Sequence, residues 1–246
     1  MKAAPSARSW IAAGVRHELL MRAMPAVRHD LAAPLSLMRM QLLMLRRQAQ
    51  ADVPAQPQAI APRVAQLEAE VSELSQGIRS LREWEWPAPE SGAPADLTRS
   101  ALVAQAVSLM RAAFELNGIV LQVAPGLEPQ AEGNEGRDAP EPPRWSDAVG
   151  LRYLLIGGLC HLHDSHDALD SGGCIALTPV EDWGVRLEAA ARPAGQAPGE
   201  APAAFAPHRA PRHLAIDAIS LQALAEDLGH AVTLAPEALT LDLRRS

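Results

Sequence analysis

Two apolar stripes with helical spacing, separated by a short proline-containing stretch, constrain this 246-residue chain more than any other feature. In the second stripe Val64, Leu67, Val71, Leu74, Ile78 and Leu81 recur in steps of three and four. That is a heptad seam, with Glu68, Glu70, Glu73 and Arg79 off it. Upstream, Met24, Val27, Leu31, Met38, Leu42 and Leu45 form a similar stripe on a first long helix. The intervening residues 49–58 are rich in Pro, Ala and Gln and read as a loop. So short a connection makes the helices antiparallel neighbours. A lone hairpin cannot enclose both stripes, whereas two hairpins can, so an intersubunit four-helix bundle in a homodimer is expected.

The pattern changes after Trp84 and Trp86, where Pro87–Pro94 reads as a domain boundary. The expected domains are therefore a helical hairpin over 1–90 and a second domain over 95–246. In the second, 97–116 reads as an amphipathic helix followed by Gly118 and the alternating strand 119–123. A helix over 147–169 leads through Gly172-Gly173 into a strand at 174–177, and 185–189 reads as another strand. An amphipathic helix at 214–228 is capped by Gly229 and followed by a hairpin over 231–234 and 238–243. The Pro- and Gly-rich stretches 124–144 and 192–212 read as long loops. The fold class is α+β, the second domain a small α/β sandwich.

Charge and composition narrow the function. A formal net charge of −7 argues against a nucleic-acid partner, which requires a basic face. No apolar run is long enough to span a bilayer, and Arg16 interrupts the N-terminal apolar stretch before a secretory signal could form. Cys160 and Cys174 are too few for a disulfide framework and sit in apolar contexts that suggest core positions. The expectation is a reduced, cytoplasmic protein.

The most informative run is Arg28-His29-Asp30-Leu31-Ala32-Ala33-Pro34-Leu35. At about 100° per residue, His29 points roughly 170° away from the apolar stripe, onto the solvent side of a bundle. An imidazole attacks phosphorus through one ring nitrogen while the other keeps its proton, and a nearby carboxylate such as Asp30 fixes that tautomer. Pro34 lacks a backbone donor and should bend the helix.

His29 through Leu35 resembles the phosphoacceptor signature, His-acid-Leu-x-x-Pro-Leu, of the dimerisation domain of sensor histidine kinases. The resemblance implies that His29 accepts phosphate on Nε2 and that Asp30 assists as hydrogen-bond partner or base. Four residues after the histidine the family often carries Asn or Thr, which serves phosphatase activity. This chain has Ala33. Direct transfer between histidine and aspartate does not need that group. Arg28 and Arg39, flanking the histidine, are candidates for docking an acidic receiver domain.

The rest of the chain resembles, more weakly, the Bergerat-type ATP-binding domain of the same kinases, but the nucleotide boxes are missing. Where the family helix reads roughly Asn-Leu-Leu-x-Asn-Ala, this chain reads Gly157-Gly158-Leu159-Cys160-His161-Leu162. The Asp-x-Gly-x-Gly loop expected near 187–195 and the glycine-rich lid expected near 212–218 are absent as sequence motifs. Phosphoryl transfer from ATP depends on a positioned metal and close backbone donors. The resemblance as a whole therefore implies a histidine phosphotransferase of the degenerate-kinase type. It would take phosphate from a receiver-domain aspartate and pass it to another response regulator, with hybrid histidine kinases among its partners. It would need no cofactor of its own, the Mg²⁺ sitting on the receiver. A non-catalytic pseudokinase adaptor and a true ATP-dependent sensor kinase are the alternatives. The run His161-Leu162-His163-Asp164-Ser165-His166-Asp167 has helical metal-ligand spacing but no matched second pair, and reads better as the polar end of a helix. Trp84 and Trp86 read as core packing.

Overall fold

The computed structural model describes residues 6–50, 57–82, 97–128, 143–169, 172–191 and 214–244. The chain forms two compact units: Met24–Ala88, and Met1–Ala23 together with Pro89–Ser246. One helix, α1 (Ala7–Ala49), contributes its first half to the larger unit and its second half to the smaller.

The smaller unit consists of that second half of α1 and α2 (Pro57–Arg82). The helices are antiparallel neighbours: Gln41 Nε2 donates to Gln66 Oε1 at 3.0 Å, and the Leu31 side chain fills the space beside Gly77. On α1 the sheltered row runs Met24, Val27, Leu31, Pro34, Met38, Gln41, Leu45, a regular alternation of three and four. On α2 it is Arg63, Leu67, Glu70, Leu74, Gly77. This corrects the expected stripes in register. Leu67 and Leu74 turn inward, but Val64, Val71 and Ile78 are exposed, as is Leu42 at 57%. Glu70, expected off the seam, is only 7% exposed. The physical reason is that a heptad stripe is wider than one antiparallel contact. A single partner helix covers one edge of it and leaves the other edge in water.

The larger unit is an α/β sandwich. Its sheet has the order β2 (Ile119–Val123), β4 (Gly173–Val180), β5 (Gly184–Ala191), β7 (Ala238–Asp242), β6 (Ala231–Leu234). The β2–β4 pair is parallel and the others antiparallel. A separate two-stranded ladder pairs β1 (Leu97–Thr98) with β3 (Arg144–Trp145). One face of the large sheet carries Ile119, Leu121, Ile175, Leu177, Val185, Leu187, Leu239 and Leu241, all buried against helices. Those helices are α3 (Arg99–Leu116) and α4 (Ala148–Ser165), with α5 (Ala218–Leu228) alongside α4.

Local signals start and stop these elements. Thr98, Asp147 and Asp217 cap α3, α4 and α5, each side chain accepting from the backbone N–H three residues on. Gly229 ends α5 at φ 74°, in the left-handed region that favours glycine, and its successor His230 donates its N–H back to the Ala225 carbonyl at 2.9 Å. Gly173 opens β4 where any Cβ would press into the Ala190 carbonyl of the neighbouring strand. The mixed α+β class is the one expected, and α3 to α5 and the strands of the large sheet follow in the expected order, but the β1–β3 ladder was not expected and α5 begins at Ala218 rather than at 214. No described helix is long and apolar enough to cross a membrane.

Candidate functional site

Position 29 lies on α1 within the smaller unit. The side chains of His29 and Asp30 lie outside the described ones; their backbones are helical. Helical geometry puts position 29 about 170° around the axis from the row that α1 turns toward α2. Its neighbours one turn away, Pro25, Ala32 and Ala33, are exposed, and so are Arg28 and Arg39. Arg28, Ala32, Leu35 and Arg39 follow one another along an adjacent exposed row. The helix continues through both Pro25 and Pro34. Pro34 is buried on the opposite side, and because it has no N–H it leaves the Asp30 carbonyl without its usual helical donor. The described residues one turn away from position 29 are a proline at 25 and alanines at 32 and 33.

The second region is α4, the helix that the kinase resemblance assigns to nucleotide. Its positions 157 and 161, where that pattern carries asparagine, face protein. A Cβ on Gly157 would meet Leu221 and Leu224 of α5 at 3.2 Å and Leu19 of α1 at 3.5 Å. Gly158 packs the other way, toward Leu239 and Leu187 of the sheet. The glycine pair therefore allows helix and sheet to approach α4 from two sides. His161 is buried, and its Nδ1–H donates to the Ile216 carbonyl at 2.7 Å. Position 157 thus has no side chain and is covered by leucines, and the His161 ring nitrogen is spent on a backbone carbonyl.

At the end of α4 sits a polar cluster that sequence reasoning missed. Arg22 of α1 grips Asp164 with both terminal nitrogens, at 3.1 and 2.8 Å. Its Nε donates to Glu18 at 3.1 Å, and a further bond goes to the Leu214 carbonyl at 2.7 Å. Asp164 also accepts from the Ile216 N–H at 2.8 Å and from His163 Nδ1 at 2.9 Å. Burial acts to raise the Asp164 carboxyl, but hydrogen bonds from His163, Arg22 and Ile216 outweigh it and hold the group at about 2. Burial likewise opposes the charge on Arg22, yet its bond to Asp164 leaves the guanidinium above its ordinary value. Beneath them Cys160 is fully buried, and desolvation pushes its thiol to about 12. The sequence did carry traces of this cluster. Glu18 and Arg22 have ion-pair spacing on a helix, and Asp164 lies inside the His-rich run.

Two histidines of that run are engaged by protein contacts. His161 bonds to Ile216 and His163 bonds to Asp164 while its ring meets Phe114 edge-on at 5.6 Å. His166 follows the last turn as C-cap. Cys174 is only partly buried, unlike Cys160, because it points to the sheet face away from the helices. Of the stretches read as missing nucleotide boxes, Leu187–Ala191 is part of strand β5. Residues 192–213, and Trp84 and Trp86, lie outside the described residues.

The chain matches no family model and no curated protein.

Proposed function

We propose that this chain is a histidine phosphotransferase of a two-component phosphorelay, carrying the phosphoryl group on His29. The observation that carries the reading is the setting of position 29 within the motif His29-Asp30-Leu31-Ala32-Ala33-Pro34-Leu35: opposite the buried row of α1, with Pro25, Ala32 and Ala33 exposed around it. A receiver domain presenting an aspartyl phosphate can approach such a surface closely. In the transfer, Nε2 of His29 attacks phosphorus, the N–P bond forms, and the P–O bond to the receiver aspartate breaks, returning it as a carboxylate. Asp30 takes or shares the Nδ1 proton as the ring becomes cationic. Mg²⁺ held by the receiver neutralises the phosphoryl oxygens, and the exposed Arg28 and Arg39 draw the acidic partner to this face.

The apolar positions left in water on the hairpin support a homodimer. Val64, Val71 and Ile78 on α2 are 41% to 52% exposed. A second copy of the hairpin would cover such rows in a four-helix bundle. The leucine-covered face of α4 favours receiver phosphate over ATP as the source. The protein is then cytoplasmic, where receiver domains reside.

Incubating wild type and His29→Gln with labelled phospho-receiver, and separately with labelled ATP, tests the proposal. Label is expected on wild type from the receiver alone and none on His29→Gln. Label from ATP would make the chain a kinase, and no label from either source would leave it an adaptor.

A further inference from the structure

The first half of α1 is more than a lead-in to the histidine. Ala12, Val15, Leu19 and Ala23 repeat with steps of three, four and four, and every one is at most 5% exposed. Among the described residues, no other stretch of α1 is buried so completely. Leu19 reaches the bare Gly157 face of α4 alongside Leu221 and Leu224. Three cations fasten the same stretch: Arg8 pairs with Glu226, Arg16 with Asp227 at 2.6 Å, and Arg22 with Asp164 at 2.8 Å. Arg8 is exposed and contributes little; Arg16 and Arg22 are largely covered. Arg22 also holds the Leu214 carbonyl, and Asp164 holds the Ile216 N–H, so the segment leading into α5 is locked in the same knot.

We infer that the groove between α4 and α5, the nucleotide face in the resembling kinases, is here a seat for residues 8–23 of α1, with Arg22 and Asp164 as its latch. The chain supplies its own occupant where a kinase would bind a diffusible one. Any ligand for the Gly157–His161 face would first have to displace Leu19 and break the latch. The α/β unit is then a mounting for the helix that bears the phosphoacceptor motif. The inference concerns that unit alone and stands whether or not His29 is phosphorylated.

Hydrogen exchange on the full chain, with and without Mg²⁺ and the nucleotide analogue AMP-PNP, tests it. In wild type, residues 12–23 are expected to be protected to the same degree as α4, with no change on adding the analogue. Exchange of 12–23 as fast as that of the exposed end of α1 would overturn the seat, and so would analogue-dependent protection of 157–162. Arg22→Gln should speed exchange of residues 16–23 by about tenfold while β4, β5 and β7 keep their protection. Unchanged protection in that variant would overturn the latch. Leu19→Asp should release 8–23 altogether or destabilise the whole unit, both of which follow from a core position. Full protection in that variant would overturn the seat independently of the latch.

Discussion

Arg22 and Asp164 meet as a planar fork on a carboxylate, the geometry in which an arginine forms two parallel charge-assisted bonds. A largely buried pair of this kind gains little over two well-packed apolar residues, but removing one partner strands the other. The pair also makes stability depend on acidity. The Asp164 carboxyl lies at about 2 in the folded protein against 3.8 as its ordinary value. Its contribution is therefore complete above about pH 4 and is lost as pH falls through 4 toward 2. The contribution is about 1 to 2 kcal/mol once solvent screening is allowed for. Urea midpoints measured from pH 6 to pH 2.5 should fall more steeply for wild type than for Asp164→Asn, which is less stable at neutral pH but has lost this slope. Parallel curves would assign the acid sensitivity to other carboxylates.

The helices and strands of the α/β unit were legible because local signals agree with one another. Thr98, Asp147 and Asp217 each stand at a helix start, Gly229 at a helix end, and strands 119–123, 231–234 and 238–242 alternate or cluster apolar residues as expected. The hairpin was legible as two helices but not in its register. Periodicity reveals that Val64, Leu67, Val71 and Leu74 share a stripe without saying which edge a partner covers, and it gives no reason to place Glu70 inside. Long-range polar contacts were the least legible: nothing in the order of residues joins Arg22 to Asp164, 142 positions apart. The exposed row carries its own expected outcome. Val71→Lys with Ile78→Lys puts two charges on a face half in water already, so the monomer's helicity should change little while the proposed dimer dissociates. Light scattering would show the mass halve. An unchanged mass would place the subunit contact elsewhere or remove it.

At the level of the whole chain, α1 does two jobs with two different faces and two different surroundings. Its first half is a core element of the sheet-containing unit, and its second half lines up against α2 and bears the proposed phosphoacceptor motif. A boundary drawn in the proline-rich linker near residue 90 assigns the entire helix to one domain, since composition changes there and not within α1. The glycine pair at 157–158 shows the same limit. In sequence it stands where the resembling kinase pattern carries asparagine, and only the packing of Leu19, Leu221 and Leu224 reveals what covers it.

The contrast between the two thiols follows from that packing. Cys174 stands partly exposed on the side of the sheet away from the helices, whereas Cys160 lies under Arg22 with its proton held by desolvation to about 12. Near neutral pH an alkylating reagent should therefore modify one sulfur promptly and the other only during excursions that lift α1 from its place. The molecule thus contains an internal clock for that event: the rate at which Cys160 acquires an iodoacetamide adduct counts the openings, and Arg22→Gln should make it run faster.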